Sequence, residues 1–260
     1  MVYYVIEHME EGLSDWCRLE YEHMLEIVTL PDKVVFTKVV DKSTRNFLYR
    51  PNSLVSMKSL EEMLTEGGNK RDGDNHTAAP TSTGPCLDLS SAVGDDSSSL
   101  KFEFSRVCLL DMKAESGIIP SDSESFDVVV FGGILGNVHV LPDGSYSSDD
   151  KTALVRDLGF TDNRRHLGEL QMTTDTAVFV THAVLKGQQQ LHQIPYVDHP
   201  EIGDHDDDDD ENDDDEDEKE CTVMEGFRYV ALPDGRPLLP KGKAALLKNS
   251  MDFDLQDELL

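Results

Sequence analysis

A glycine-rich turn is the first part of the sequence that could take part in chemistry. Gly132, Gly133 and Gly136 follow directly after the apolar run Phe126–Phe131, which predicts a buried strand. Glycine lets the backbone approach a ligand closely or adopt a positive φ, and α/β sheets bind their ligands where strands end. The spacing matches neither G-x-G-x-x-G nor the Walker sequence, so it predicts no phosphate site. A tight turn imposed by packing is an equally good interpretation of this segment alone.

A second candidate is the polar segment Leu167–Ala177, with the sequence LGELQMTTDTA. Its backbone groups and Thr hydroxyls precede a predicted helix, Thr173–Leu185, and a turn of this kind can hold a polar ligand. Thr173 or Thr174 can equally be the N-cap of that helix, with Asp175 as an acidic residue in its first turn. Taken alone, the capping interpretation is the better one.

Carboxylates also cluster in Glu7-His8-Met9-Glu10-Glu11, where the first predicted strand ends. Exposed charges beside a strand usually have no chemical role, so this cluster is a weak signal by itself. His8 has no partner at the spacing of an H-E-x-x-H zinc site, and the 9 His residues are scattered. No G-x-S-x-G sequence is present either. The sequence therefore predicts no metal site and no nucleophile elbow.

The elements that would position these segments alternate between strands and helices. Apolar runs predict strands at Val2–Ile6, Val34–Val40, Val107–Leu110, Phe126–Phe131 and Ile194–Val197. Helices are predicted from Trp16 to Val28 after the cap Ser14, around Leu60–Leu64 after Ser56 or Ser59, over Thr173–Leu185, and at Lys241–Lys248. Val138–Asp150 is predicted to be a polar loop, and Phe227–Leu232 with the following Pro-Asp-Gly turn a β-hairpin. This alternation predicts an α/β fold with a mostly parallel sheet.

Charge and composition set two stretches apart from the rest of the chain. The 260 residues include 52 Asp and Glu against 23 Lys and Arg, a formal net charge of −29. The run 204–220 contributes −13, from 14 acidic residues and one Lys, and is predicted to be disordered. The Gly-, Ser- and Pro-rich stretch 67–99 is predicted to be a disordered insertion. Residues 1–66 and 100–203 are then expected to form the folded domain, and residues 221–260 a hairpin, a short helix and an acidic tail.

The same composition excludes several classes of protein. A charge of −16 remains outside the acidic run, so Lys and Arg are too few to replace counterions along nucleic acid or to hold an anionic membrane. The 4 Cys residues are widely spaced, which fits reduced thiols rather than disulfides or zinc. With no signal-peptide pattern and no long apolar stretch, the sequence predicts a cytoplasmic protein.

Taken together, the candidate segments resemble a known family, the SPOUT-class protein arginine methyltransferases that modify a small-subunit ribosomal protein. The resemblance extends over about residues 2–28, 106–136 and 164–245. The motifs that carry it are Ile6–Gly12, Leu19–Tyr21, Arg106–Asp111, Phe131–Gly136, Arg165–Gly168, Gln171–Ala177, Asp198–Glu201 and Phe227–Val230. Runs of this length in the same order are much more specific than one glycine turn.

The resemblance implies an α/β fold with a deep trefoil knot, which is rare among proteins, and a bound S-adenosylmethionine. The residues implied to contact this cofactor are Leu110, Asp111, Gly132, Gly133, Ile134, Leu135, Gly136, Leu167, Gly168, Gln171, Met172, Thr173 and Thr174. A carboxylate would pair with the substrate guanidinium and orient one nitrogen. The candidates are Glu7, which we favour, with Glu10, Asp111 and Asp175. For Asp175, a purely structural role in its helix is about as good an interpretation.

The substrate that the resemblance implies is a basic protein, a small-subunit ribosomal protein. Most SPOUT enzymes act on RNA, so an RNA methyltransferase is the alternative within the same fold class. A third hypothesis is a non-catalytic acidic protein that binds basic clients. The net charge of −29 favours a basic protein over RNA phosphates, and the glycine and Gln171–Thr174 segments favour an enzyme over a simple binding protein.

Overall fold

Strands and helices alternate along most of the chain. A computed structural model describes residues 1–10, 12–65, 85–94, 100–133, 138–140, 146–148, 152–202 and 222–247. The strands are β1 (Tyr3–Glu7), β2 (Lys33–Thr37), β3 (Ser53–Val55), β4 (Leu64–Thr65), β5 (Cys86–Asp88), β6 (Lys101–Glu103), β7 (Val107–Leu110), β8 (Val128–Phe131), β9 (Val138–Val140), β10 (Tyr146–Ser148), β11 (Arg164–Arg165), β12 (Tyr196–Asp198), β13 (Glu201–Ile202), β14 (Thr222–Val223) and β15 (Arg228–Val230). The α-helices are α1 (Asp15–Ile27), α2 (Lys42–Leu48), α3 (Leu60–Met63), α4 (Asp122–Ser125), α5 (Thr152–Arg156) and α6 (Thr174–Leu185). Residues 243–247 are also helical. Within the described ranges, no helix combines the length and apolar character that crossing a membrane requires.

Six strands form the central sheet, in the order β11-β7-β8-β1-β2-β3. Every neighbouring pair in it is parallel, and every residue of β1, β2, β3, β7 and β8 is buried. Parallel strands need crossover connections that cover both faces, so their residues are apolar in continuous runs rather than in alternation. The mostly parallel α/β fold predicted from these runs is confirmed.

The two faces of the sheet carry separate hydrophobic cores. Neighbouring residues of a strand point to opposite faces, so Tyr4 of β1 joins the core that contains α1 and α6, whereas Tyr3 joins the core that contains α3. Helix α1 packs on α6 and begins as predicted, with the Cys17 amide donating to Ser14 Oγ at 3.2 Å. Its buried stripe includes a charged residue, Glu20.

Two predictions about the connections are wrong. Residues 85–94 lie inside the predicted disordered insertion 67–99, yet β5 pairs with β4 and β6 there, and Leu87 is fully buried. The predicted loop Val138–Asp150 contains the antiparallel pair β9 and β10. Short ladders are held by backbone hydrogen bonds and need few apolar side chains, so composition does not reveal them. The other residues of the two predicted disordered stretches lie outside the described ranges.

The C-terminal hairpin is confirmed in outline. The Leu232 amide donates to the Arg236 carbonyl oxygen at 2.7 Å across the Pro-Asp-Gly turn, and Ala231 bridges to Pro237. In addition β15 pairs antiparallel with β12. The sequence pattern gave no prediction for α2 and β3, whose apolar residues are too few to produce a clear period.

After β11 the chain runs beside the loop that follows β7. The His166 amide donates to the Ser116 carbonyl oxygen at 2.9 Å, and the Ile118 amide donates to the His166 carbonyl oxygen at 3.0 Å. The trefoil knot implied by the family resemblance concerns the passage of the chain through this loop, and it stays a prediction.

Candidate active site

The predicted cofactor segments follow strands that end at one edge of the sheet. Ile6 at the end of β1 is in register with Phe131 at the end of β8, and Leu110 at the end of β7 is in register with Arg165 of β11. Because all of these strands are parallel, the segments after them lie together at the carboxyl edge. Ligand sites of parallel α/β sheets lie at this edge.

The glycine turn after β8 is crowded by protein atoms. A Cβ on Gly133 would lie 2.8 Å from the Glu7 carbonyl oxygen and 2.8 Å from Met9 Cγ. A Cβ on Gly132 would lie 2.7 Å from Thr152 Oγ1. The backbone contact requires glycine at position 133, whereas the Thr152 side chain could rotate to admit a Cβ at position 132. Both glycines are partly exposed at the edge. The other predicted contacts of this turn, Ile134, Leu135 and Gly136, lie outside the described residues.

The structure brings the segment Leu167–Thr174 against this turn. Thr174 Oγ1 donates to the Gly133 carbonyl oxygen at 3.4 Å. Gly168 has a φ of +135°, which L side chains rarely adopt, and a Cβ there would lie 3.4 Å from an Arg228 side-chain nitrogen. Leu167, Gly168, Gln171 and Met172 are partly exposed, whereas Thr173 and Thr174 are buried. Two predicted cofactor segments thus meet at the carboxyl edge.

Thr173 occupies the N-cap position of α6, but its side chain makes no capping hydrogen bond. Its hydroxyl instead pairs with the Thr176 hydroxyl at 2.8 Å. The capping interpretation of the sequence is therefore correct for the position and wrong for the hydroxyl. The adjacent Gln171 carbonyl oxygen accepts from the Arg228 amide at 2.8 Å, which fixes this segment to β15.

Asp111, which follows β7, has its carboxylate fully engaged. Arg156 binds it in a bidentate way, with Nε 2.6 Å from Oδ2 and a terminal nitrogen 2.7 Å from Oδ1, and Arg164 donates to Oδ2 at 2.9 Å. Burial opposes ionisation, but these arginines and the Lys113 amide lower the pKa of Asp111 to about 2. The predicted cofactor role of Leu110 and Asp111 can then involve only their backbone, because both side chains are buried.

Glu7 is also committed to structural hydrogen bonds. Its Oε2 accepts from Thr37 Oγ1 and, at 2.9 Å, from the Leu60 amide at the start of α3. Burial raises the pKa of the Glu7 carboxyl, while these two hydrogen bonds act against that rise. Glu10 lies three residues further on and is partly exposed. The catalytic role of either residue stays a prediction.

Sequence reasoning missed a buried group of side chains that we call the acidic cage: Trp16, Glu20, Asp175 and Tyr229, arranged around Lys243. The Lys243 Nζ lies 2.9 Å from Glu20 Oε1 and 3.9 Å from Asp175 Oδ1. It also lies 4.2 Å from the centroid of the Trp16 ring and 5.8 Å from that of Tyr229. Glu20, Asp175, Tyr229 and Lys243 have no exposed surface. The cage therefore holds a cation between two carboxylates and two aromatic rings, an arrangement that stabilises cations.

In the described part of the chain, not every carboxylate oxygen of the cage has a hydrogen-bond partner. Asp175 Oδ2 is 2.7 Å from His23 Nδ1, and Glu20 Oε1 accepts from Lys243 at 2.9 Å and from Trp16 Nε1 at 2.6 Å. Among the described residues, Glu20 Oε2, Asp175 Oδ1 and the Tyr229 hydroxyl have no hydrogen-bond partner. Buried polar atoms are nearly always paired, so the two unpaired carboxylate oxygens beside the cation mark a place where further donors would bind.

The two carboxyls of the cage differ in their affinity for protons. Burial raises the pKa of Glu20 to about 7, and the charge of Asp175 adds to that effect, while Lys243 opposes it. Burial also opposes ionisation of Asp175, but Lys243 and His23 hold its pKa below the usual value. At neutral pH one carboxyl is an anion and its neighbour can take up or release a proton.

A signal for the cage does exist in the sequence. Glu20 is on the buried stripe of α1, together with Cys17, Tyr21 and Met24. A charged residue is rarely buried in this way without a partner of opposite charge. Its partners, Asp175 and Lys243, are distant in sequence, so only the folded chain shows the group.

The strand-end edge offers uncharged donors and acceptors. These are backbone groups of the glycine turn and of Leu167–Met172, with the Thr174 hydroxyl and the Gln171 amide. Such a set fits the adenosine and amino-acid parts of S-adenosylmethionine, which carries no phosphate. In the part of the chain that the structure describes, no group of three His, Cys, Asp or Glu side chains is placed to hold a metal ion.

Comparison with known proteins identifies the family. The family model for "Protein arginine N-methyltransferase SFM1-like" matches residues 3–76 and 84–253. The chain belongs to this family. The resemblance inferred from the sequence motifs is confirmed, and the chain is a protein arginine N-methyltransferase of the SFM1-like family.

Relatives agree with this SFM1-like assignment over nearly the whole length. Protein arginine N-methyltransferase SFM1 of Saccharomyces cerevisiae is 31% identical over 258 residues, which are 99% of each chain. A crystal structure of yeast SFM1 complexed with SAM matches with a TM-score of 0.62 and 29% identity, over 96% of this chain and 91% of that one. The complex of the yeast enzyme with MTA matches with a TM-score of 0.60 and 27% identity, over 94% and 99%.

Proposed function

We propose that this enzyme uses S-adenosylmethionine to methylate an arginine side chain of a basic cytoplasmic protein, a small-subunit ribosomal protein. The observation that carries the proposal is the acidic cage. It holds a cationic nitrogen between Glu20 and Asp175, and Asp175 directly follows Thr174, which contacts the glycine turn. A cation site thus adjoins the edge at which the cofactor is expected.

The cofactor is proposed to bind at the carboxyl edge of the sheet. Support comes from the crystal structures of yeast SFM1 in complex with SAM, SAH and MTA. In this chain the cofactor would be held by Gln171–Thr174 and by the backbones of Leu110, Gly132, Gly133 and Leu167–Gly168. When bound, S-adenosylmethionine supplies a methyl group activated by a sulfonium centre. The residues of the chain contribute position and exclusion of water, and orientation alone can be worth roughly 7–11 kcal/mol.

The acidic cage is proposed to hold the guanidinium. A free arginine side chain is protonated up to a pKa of about 12.5–13.8 and is a poor nucleophile. Asp175 stays ionised, and pairing with it would fix the guanidinium plane and direct one nitrogen towards the cofactor edge. Among the predicted carboxylates Asp175 therefore takes the substrate-binding role, and Glu20, which sequence reasoning did not select, joins it. Glu7 lies at the end of β1 and Glu10 three residues further on, and a catalytic role for either stays a prediction.

Glu20 is further proposed to receive the proton that the attacking nitrogen loses. A general base works best when its pKa lies near the working pH, and burial places the pKa of Glu20 at about 7. The two carboxyls of the cage would then have different roles, because Asp175 binds the guanidinium and Glu20 accepts a proton.

The charge of the enzyme supports a basic protein as the partner. A formal net charge of −29 attracts a strongly basic ribosomal protein and repels RNA phosphates. The run 204–220 is proposed to add to this attraction at low salt, and such attraction weakens as ionic strength rises.

Incubation of the enzyme with S-adenosylmethionine labelled in its methyl group tests the proposal. Separated small-subunit ribosomal proteins and ribosomal RNA serve as parallel acceptors. We expect the label in one ribosomal protein, released as methylarginine on hydrolysis. Label found in RNA alone would overturn the proposed substrate, and absence of cofactor binding would overturn the proposed chemistry.

A further inference from the structure

Lys243 is an unusual occupant of the acidic cage. It belongs to the C-terminal segment, residues 241–247, and it reaches the cage from far along the chain, as its pairing with Glu20 shows. A fully buried lysine is rare unless it is paired well. The pairing here is incomplete, because its contact with Asp175 is 3.9 Å long, beyond hydrogen-bond distance.

The cage has the acceptors for a guanidinium. An ammonium offers three donors from one point, whereas a guanidinium offers five in a planar fork. The carboxylate oxygens that lack a hydrogen-bond partner in the described structure, Glu20 Oε2 and Asp175 Oδ1, would accept those extra donors. The Trp16 ring, 4.2 Å from the Lys243 nitrogen, is placed for a cation to lie over its face. An arginine side chain would therefore satisfy the cage better than Lys243 does.

Lys243 is the most deeply buried residue of the C-terminal segment. Lys243 has no exposed surface, while the other residues of 241–247 are partly or fully exposed. Gly242, just before it, has a φ of +90°, a turn that carries the chain into the short helical stretch. No residue of the segment belongs to either hydrophobic core, so withdrawal of Lys243 from the cage would leave both cores in place.

We propose that Lys243 is an internal stand-in for the substrate arginine, which must displace it to enter the acidic cage. The inference rests on the proposed function and deepens it, since it assigns a competitor to the same site. Lys243 lowers the apparent affinity for arginine in proportion to the fraction of molecules whose cage it fills. It also covers the two buried carboxylates while no substrate is bound.

The cage contains its own probe, because Trp16 is the only Trp of the chain. The intrinsic fluorescence of the full-length enzyme is titrated with N-acetyl-argininamide, and N-acetyl-citrullinamide serves as the uncharged control. We expect Lys243→Ala to bind the arginine compound at least tenfold more tightly than the unaltered enzyme. Lys241→Ala, which removes an exposed charge from the same segment, is the matched control and should bind like the unaltered enzyme. Glu20→Gln combined with Lys243→Ala should lose the gain.

Kinetics with a protein substrate give a second readout. Lys243→Ala should lower KM by about the same factor as it lowers the dissociation constant of the arginine compound, with kcat retained. A variant with native circular dichroism but unchanged affinity and unchanged KM would show that Lys243 is only a structural partner of Glu20. Since the fluorescence titration needs no methyl transfer, tight arginine binding without methylation would count against the proposed reaction and leave this inference standing.

If Lys243→Ala does not fold, Lys243→Arg is a second variant that tests the inference. An arginine at this position would supply the missing donors, so we expect a higher Tm, a KM raised several-fold, and weaker binding of N-acetyl-argininamide. A Tm equal to or below that of the unaltered enzyme, together with an unchanged KM, would overturn the inference.

Discussion

Two buried acidic centres of this enzyme contrast sharply. Asp111 accepts bonds from Arg156 and Arg164 at 2.6 to 2.9 Å, and both of its oxygens are used. In the acidic cage, Glu20 and Asp175 share one lysine, and each keeps an oxygen with no hydrogen-bond partner among the described residues. The first centre is saturated by arginine, and the second is not.

The difference separates a structural centre from one that can bind a ligand. Asp111 connects α5 and β11 to the end of β7 through its bonds with Arg156 and Arg164. Because both of its oxygens are paired, the pKa of Asp111 is lowered to about 2 despite burial. Only one oxygen of Glu20 is hydrogen-bonded, to Lys243 and Trp16, so burial dominates and raises the pKa of Glu20 to about 7. In this chain, arginine side chains already donate hydrogen bonds to both oxygens of one buried carboxylate, Asp111. The cage has unpaired carboxylate oxygens that could accept hydrogen bonds from another arginine.

Asp175→Asn should produce the largest effect on activity. It removes the ionised partner of the guanidinium but keeps the size of the side chain, and truncating a buried charge pair costs roughly 2–5 kcal/mol. We expect kcat/KM for the protein substrate to fall on the order of a thousandfold, measured with labelled cofactor. Affinity for S-adenosylmethionine, measured by calorimetry, is the control and should change little. Activity within tenfold of the unaltered enzyme would remove Asp175 from the arginine site.

Asp111→Asn should affect stability instead of arginine binding. Breaking a buried ion pair by removing one partner costs about 3–5 kcal/mol, so we expect a loss of about 3 kcal/mol in urea unfolding at pH 7. The lowered pKa of Asp111 means that its contribution is present above its unfolded pKa of about 4 and disappears as pH falls towards 2. The stability difference between variant and unaltered enzyme should therefore shrink over this acid range. Binding of N-acetyl-argininamide should not change, and a large change would contradict the contrast between the two centres.

Glu20→Gln should have the smallest effect on stability, with the opposite dependence on pH. The raised pKa of Glu20 gives a contribution that is present below its unfolded pKa of about 4.5 and is lost as pH rises through about 7. At pH 5.5 the folded enzyme already holds this proton, so we expect a change below about 1 kcal/mol. The fall in unfolding free energy between pH 5.5 and 8 should be smaller in the variant. A loss at pH 5.5 as large as that of Asp111→Asn would show that Glu20 is ionised and fully paired.

Particular elements show how far the sequence alone reaches. Continuous apolar runs located β1, β7 and β8, because burial on both faces leaves no alternation, and Ser14 was found as the cap of α1. Strand β5 was not predicted, because its three residues lie in a polar stretch and are held by backbone hydrogen bonds. Of the candidate site, the segments at Gly132–Gly133 and Leu167–Thr174 were found, and the structure places them in contact. Glu7 was favoured for its place at a strand end, which does not reveal that its carboxylate binds Thr37 and Leu60.

By itself the sequence determined the fold class, the family motifs and the acidic charge, because periodicity, short motifs and net charge are properties of neighbouring residues or of their sum. Only the tertiary structure decided which carboxylates are free to act. Hydrogen-bond partners of Asp111, Glu7 and Glu20 come from distant segments, and the pKa of a buried carboxyl depends on those partners and on its burial. The pairing of Glu20 with Lys243 across 223 positions illustrates this. No local pattern records such a contact, since the folding of the whole chain creates it.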